Sequence, residues 1–479
     1  MSQQELQTEL LALNDDADPC SVSVPVLRET IARRPELVKL EDFLLLSELR
    51  CAADRELFGE ALDYYLRLEG KGFELSPNYG LFLAEGTDSA ERSVDLVERI
   101  LLSGDHQKLA SLQDDAFWRV QRLARRDGIS AELDKVSEAA VRAGVLKHLE
   151  REVGSDLAWS ALKSAGLQED ARLVQEALKS VYRPTSYVHL LSAREYEPIW
   201  PAIEARVGKN FTAITEEFRA ATFERFDQDR EDLDAFQSYV RSLHYDGDFV
   251  GVIDAVDGAI TRDDLVSTLH EDEAWSLNLK GYALDALGRT SQADEVFELL
   301  AASSEIREEL GPSFSINRAA RLVGHGNWEQ GLAAAEAAAV LAQSLGNSYA
   351  RSLTLRDRIC ALNSLGRRSE ARNLLDQLRA EAEGRPAILA EGLLCLGFDD
   401  EAALLLTKAL DNEVTRHALI TDLQHGAMRL FDTSSVLRKP HDLVRDHSGL
   451  RQKFLEHARF VPEEFYPAAS LRRLKADEN

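Results

Sequence analysis

Leu287-Gly288-Arg-Thr-Ser-Gln-Ala293, Leu365-Gly366-Arg-Arg-Ser-Glu-Ala371 and Leu396-Gly397-Phe-Asp-Asp-Glu-Ala402 are three copies of one turn. His325-Gly326-Asn-Trp-Glu-Gln-Gly331 and Asp246-Gly247-Asp-Phe-Val-Gly-Val252 are looser copies. Each places a glycine after an apolar helical pattern and a small or apolar residue five positions later. The glycine ends a first helix by taking the left-handed conformation, which costs it nothing sterically. The small residue lets a second helix pack back closely on the first. Successive glycines stand 41, 38, 40 and 31 positions apart, from Gly247 to Gly397. A period of that size predicts an all-α solenoid of stacked antiparallel helix pairs.

The spacing around these turns resembles the tetratricopeptide repeat. At the family's small or apolar positions one unit has Leu277, Gly281, Leu284, Ala293, Phe297 and Leu300, and the unit before it has Phe236, Val240, Leu243, Val252, Val256 and Ala259. Leu355, Ile359, Leu362, Ala371, Leu375 and Leu378 follow, then Pro386, Ala390, Leu393, Ala402, Leu406 and Ala409. The Gly326 unit fits less well, with Ser315 and Gly331. The resemblance covers about residues 230 to 412. No unit carries the family's terminal proline, and most exceed its usual length of about 34 residues.

Upstream the pattern fades. Ala193-Arg-Glu-Tyr196, Gly166 with Ala171, Glu56-Leu-Phe-Gly-Glu-Ala61 with Tyr65, and Gly104 with Leu109 are candidate turns. The expected organisation is a lead segment over 1–24, a divergent helical-repeat region over 25–185, a tetratricopeptide-like array over 186–412, and capping helices with an irregular tail over 413–479. Arg183-Pro-Thr-Ser-Tyr187 reads as the break between halves. From Asp432 onward there are nine Lys or Arg and eight Asp or Glu, in a chain whose net charge is −27. This nearly neutral tail caps the last apolar face, which a solenoid requires, or docks a partner.

A charge of −27 repels phosphate backbones, so nucleic acid is not an expected partner. The basic spots Arg122-Leu-Ala-Arg-Arg126 and Arg472-Arg-Leu-Lys475 are short and lack interleaved aromatics. No apolar run is long enough to span a membrane, and the first residues carry no apolar signal core. The four cysteines, Cys20, Cys51, Cys360 and Cys395, form no C-x-x-C pair. Cys360 and Cys395 read as small core residues and nothing demands an oxidising compartment, so a cytoplasmic protein is expected.

No phosphate-binding loop, nucleophile elbow or H-E-x-x-H helix occurs, so no enzymatic activity and no cofactor are expected. His441-Asp442 with Asp446 and His447 looks like part of a metal cluster, with His417 and His425 upstream. A His-Asp hydrolase also needs an acid far downstream, and only Asp477 stands there. These histidines therefore read as a solvated helix. Asp227 to Asp234 lacks the central glycine of a calcium loop and reads as a solvated turn.

The resemblance implies a scaffold or adaptor that binds a protein or peptide partner, of basic character given the charge, along a groove lined by first helices. The groove residues it points to are Trp275, Asn278, Tyr282, Arg356 and Asn363, with Asp285 on the same face. Aromatic residues exposed there would suit a binding hot spot. The Lys and Asn clamp of chaperone-binding members is not reproduced, since Asn278, Ile316 and Arg356 stand at its place. Two other readings are a ligand- or peptide-sensing regulatory module and an enzyme whose site lies in 1–230 or in the tail.

Overall fold

The computed structural model describes residues 20–21, 23–33, 41–261, 264–425 and 435–470. The expectations for residues 1–19 of the lead segment, for Arg472 to Lys475 and for Asp477 lie outside them. The chain divides into two compact units, Met1–Val181 and Tyr182–Asn479.

In the first unit the helices are α1 (Ser23–Arg33), α2 (Glu41–Asp54), α3 (Phe58–Gly70), α4 (Pro77–Gly86), α5 (Ala90–Leu101), α6 (His106–Ala110), α7 (Asp114–Arg126), α8 (Ser130–Ala143), α9 (Arg151–Ala161), α10 (Ala165–Gln168) and α11 (Ala171–Ser180). Sequential neighbours pack as hairpins around one apolar cluster that includes Leu62, Tyr65, Leu81, Val97, Phe117 and Leu157. Of the faint upstream turns, those at Glu56 and Gly104 are real: Gly104 is left-handed (φ 71°) between α5 and α6, with Leu109 fully buried. Glu56 itself takes the left-handed conformation (φ 58°) and Ala61 is fully buried. Gly166 does not end a helix; it lies inside the short α10, so that expected turn is corrected.

The second unit runs through α12 (Pro184–Ser192), α13 (Trp200–Val207), α14 (Thr212–Gln228), α15 (Leu233–Tyr245), α16 (Phe249–Ala259), α17 (Leu265–Thr268), α18 (Glu271–Ala286), α19 (Thr290–Ile306), α20 (Ser313–Gly324), α21 (Trp328–Ser344), α22 (Ser348–Ser364), α23 (Arg368–Glu381), α24 (Pro386–Cys395), α25 (Asp399–Asp411), α26 (Glu413–Asp422), α27 (Pro440–Asp446) and α28 (Ser448–His457). From α15 to α25 it is an α-solenoid of stacked helix pairs. The five glycines quoted above all have φ between 69° and 79°. In each turn the residue after the glycine donates its N–H to a carbonyl five positions back, as Arg289 does to Leu284 at 2.9 Å and Arg367 to Leu362 at 2.9 Å. That bond satisfies a helix-end carbonyl and fixes the angle of the next helix. Ala293, Ala371 and Ala402 are fully buried where the paired helices touch. At the loosest copy, Gly331 lies so near the preceding helix that a Cβ would come 3.1 Å from the Val323 backbone nitrogen. Glycine is therefore the residue that fits this approach.

Among the described residues of the C-terminal stretch, the helices expected to cap the array are present. From Ser435 the chain runs along the second unit as a strap. Val436 N–H donates to the Gly324 carbonyl at 2.9 Å, and α27 and α28 pack on α25. Ala458 forms a single antiparallel bridge with Ala193, the one isolated β pairing among the described residues. Arg459 clasps the start of the unit. Its Nε donates to the Leu191 carbonyl at 2.7 Å, its Nη2 pairs with Glu204 at 2.7 Å, and its guanidinium lies 3.8 Å over the Trp200 ring. Ala469 then enters the apolar cluster of Phe226, Phe236 and Val240. No helix among the described residues is long and apolar enough to cross a membrane.

Two cysteine readings are corrected. Cys20 is disulfide-bonded to Cys51, and Cys360 to Cys395. The helix stacking brings the Cα atoms of Cys360 and Cys395 to 5.0 Å, within bridging range, so they are not merely small core residues.

Candidate functional site

The first helices α18, α20, α22 and α24 share one face, and the residues expected to line a groove all lie on it. They are not free contact residues. Asn278 is fully buried and accepts a hydrogen bond from Asn317 Nδ2 at 3.2 Å. Tyr282 is only 5% exposed and packs edge-on against Phe297 with ring centroids 5.1 Å apart. Trp275 is half-buried against Phe314, 4.7 Å between centroids. Arg356 pairs with Glu391 at 2.7 Å and Asp357 at 2.8 Å. Asn363 Nδ2 donates to the Cys395 carbonyl at 2.7 Å. The expected exposure of Tyr282 and Asn278 is thus corrected. Solenoid first helices pack on their neighbours one repeat away, and inner-face polar residues meet partners there.

Trp275–Phe314, Asn278–Asn317, Arg356–Glu391 and Asn363–Cys395 form rungs between successive first helices. Asp285 to Arg321 belongs to the series, at 2.5 Å, with Asp294 as the arginine's second partner. Burial works against the Arg321 charge, yet Asp285 and Asp294 hold its pKa above the ordinary value. The partners lie 32 to 39 residues apart, near the repeat length. Arg321, Asp357 and Glu391 escaped the sequence reading because an acid or arginine inside a helix looks the same whether it faces water or the next repeat.

Asp357 is the most perturbed carboxylate of this face. It is 2% exposed, and only one of its oxygens, Oδ1, is hydrogen-bonded, to Arg356. Burial pushes its pKa up to about 6, against the opposing pull of the Arg356 guanidinium. Arg356 is itself buried, which disfavours its charge, but Asp357 and Glu391 hold its pKa above the ordinary value.

The strap crosses this face. Arg438 pairs with Asp399, and with Asp446 at 2.8 Å, while Lys439 lies 3.8 Å from Glu391. Beneath it remains a cavity of 90 Å³ reached by Tyr282, Arg321, Arg356, Asp357, Leu437 and Lys439. That is far below the several hundred Å³ of a small-molecule pocket. A second cavity of 360 Å³ lies beside it, lined by Tyr349, Arg356, Glu391, Val414, Leu419 and Pro440.

The histidines are also rearranged relative to expectation. His425 and His441 are half-buried with rings 5.2 Å apart, so they do not form a solvated helix face. Asp442 joins them in one donor cluster, and His189, Glu195 and His417 form another. Asp446 and His447 belong to neither: Asp446 pairs with Arg438, and His447 caps α28 by accepting from the Leu450 N–H. Elsewhere the basic spot of α7 is neutralised locally, Arg122 on Glu85 and Arg126 on Asp88 and Asp127. Asp227 and Asp232 pair with Arg230 and Arg225.

No protein-family model matches the sequence, and no curated protein matches it. Among solved structures, the crystal structure of the yeast Tom70 matches with a TM-score of 0.19 and 15% sequence identity, over 80% of this chain and 95% of that chain. Likeness at this level does not extend to function.

Proposed function

We propose that the second unit is an interaction scaffold of tetratricopeptide type that binds an extended basic segment of a protein partner on its first-helix face. One observation carries the reading. The chain's own Ser435 to Lys439 already lies there, held by a main-chain bond to Gly324 and by Arg438 and Lys439 on Asp399 and Glu391. A main-chain bond combined with acidic side-chain contacts is a general way to hold a peptide of loose sequence. The net charge of −27 adds a long-range attraction for basic partners and makes their capture salt-sensitive. Asn278, Tyr282, Arg356 and Asn363 act by fixing the spacing of the first helices, and half-buried Trp275 is the aromatic contact.

The test weakens the occupant and leaves the helices intact. An Arg438→Ser, Lys439→Ser variant is screened against displayed random peptides. Enrichment of Arg- and Lys-containing peptides that bind this variant more tightly than the parent chain is expected, with the added substitution Asp399→Asn weakening them. Selected peptides that ignore both changes would remove the reading.

The redox state of the two cysteine pairs reports the compartment. In the cytoplasm both pairs are held as dithiols, whereas an oxidising compartment preserves the bridges. Alkylation of thiols in intact cells before lysis measures which state the protein keeps.

A further inference from the structure

The second unit is fastened where its last repeat meets its first helix, and the fastening carries metal-type donors. His189 sits on α12, Glu195 on the 3₁₀ turn that follows, and His417 on α26. They come from elements 228 residues apart in sequence, 189 to 417, brought together by the packing of α12 on α26. One donor atom from each lies within 4.8 Å of the other two. His189 is 2% exposed, so its imidazole is held by the core. Its Nε2 is 3.6 Å from Glu195 Oε1, and its ring lies 3.9 Å from that of His417. Glu195, by contrast, reaches solvent, with 44% of its side chain exposed.

We infer that His189, Glu195 and His417 form a binding site for a divalent transition-metal ion that clamps α26 to α12. Three physical points lead there. In a tetrahedral zinc site with bonds of about 2.0–2.1 Å, donor atoms stand roughly 3.3 Å apart. The histidine–glutamate distance is already near that value, and the outer limit of the cluster asks for a side-chain adjustment of about an ångström. Two imidazoles and one carboxylate form a set suited to zinc, cobalt, nickel or copper, while magnesium and calcium prefer all-oxygen shells. The carboxylate also supplies a negative charge beside a core imidazole, which favours a cation at the place where both point. Three protein ligands leave a coordination position for water on the exposed Glu195 side. The ion would shorten no chain-local loop; it would join the two ends of the array, so its binding should stiffen the whole unit.

The experiment uses the untagged full chain, stripped with chelator. Zinc is titrated by calorimetry, and cobalt is added separately to read its d–d absorption. The parent chain should take up zinc, melt at a higher temperature with it, and give a cobalt spectrum of tetrahedral or five-coordinate type. Glu195→Gln, a half-exposed and shape-conserving change, and His417→Ala should each weaken zinc at this site at least about tenfold and abolish the thermal shift. Circular dichroism verifies that both variants stay helical, and Glu195→Gln alone suffices should His417→Ala unfold. His441→Ala, which alters the separate His425, His441 and Asp442 cluster, should leave zinc uptake at this site intact. Absence of zinc binding by the parent chain overturns the inference. So does binding that survives Glu195→Gln and disappears in His441→Ala, which would move the ion to the other cluster. The result is independent of peptide binding by the first-helix face.

Discussion

At the scale of single residues, two buried positions make opposite demands. Asp357 has an ordinary pKa of 3.8 that burial raises to about 6. Between those values the folded chain keeps a proton that the unfolded chain has lost. This group's contribution to stability is therefore present at low pH and is lost as pH rises through about 6. Asparagine mimics the protonated form. Asp357→Asn should thus gain on the parent chain between pH 4.5 and pH 7.5, by roughly 2 kcal/mol. Melting curves of both proteins across that range provide the check, and a difference that stays flat with pH would contradict the assignment. Gly281 makes a different demand. A Cβ there would stand 2.7 Å from the Phe297 ring, itself fully buried between Tyr282 and Arg321. Alanine gains about 1 kcal/mol in helix propensity but overpacks at a cost of about 1–3 kcal/mol. Gly281→Ala should consequently destabilise the protein, while Gly258→Ala, in α16 with nothing within 4 Å, should stabilise it. Equal melting shifts in the two variants would show that the close approach is not limiting.

At the scale of elements, the helix hairpin and its cross-link to the next hairpin are separate devices. Ala293 and Ala371 are fully buried at the contact of paired helices, so Leu at either position should cost roughly 1–3 kcal/mol. An unchanged melting temperature in both variants would place the hairpin contact elsewhere. The Cys360–Cys395 bridge instead joins neighbouring first helices across a separation of 35 residues. Closing a loop of that size removes unfolded-state entropy worth roughly 3–4 kcal/mol at room temperature. Reduction should therefore lower the melting temperature, and Cys360→Ser with Cys395→Ser should abolish that sensitivity to reductant in the second unit. The hairpins were legible in the sequence because glycine and a small residue at fixed offset have a local cause, the left-handed helix end. The bridge was not, since cysteines a repeat apart become neighbours only once the stacking is known. Glu56 marks the same limit from the other side. A left-handed helix end made by a non-glycine residue leaves no glycine in the sequence to find, which is why that turn read as faint.

At the scale of the whole chain, the least legible feature is the strap, because three prolines and broken periodicity hide a segment whose apolar residues are buried one or two at a time. Leu443, Val444, Leu450, Phe454, Ala458, Val461 and Ala469 are all nearly inaccessible. The larger of these side chains are worth roughly 1.5–3 kcal/mol each when fully buried. Their joint contribution is thus comparable with the entire stability of a typical domain, about 5–15 kcal/mol. A chain ending at His425 should therefore lose the cooperative unfolding of the second unit, while helices of the first unit, whose core is its own, persist. Limited proteolysis followed by mass measurement distinguishes the outcomes: a protected fragment near residues 41–181 is expected, and a protected fragment over 182–425 is not. The Arg438→Ser, Lys439→Ser variant tests the other half of the strap's role. It removes the ion pairs of Arg438 with Asp399 and Asp446 and the 3.8 Å approach of Lys439 to Glu391, but no buried apolar group, so its melting temperature should shift little, because pairs open to solvent contribute about 1 kcal/mol or less each. If the full deletion also proves harmless, the strap is an occupant and not a support, and the core ascribed to it must be satisfied within the array. If the double substitution is as damaging as the deletion, Arg438 and Lys439 hold the fold together, and their displacement by a partner peptide is ruled out. Only a large loss in the first protein with a small one in the second lets the strap be anchored by α27 and α28 while its basic stretch yields the face to another chain.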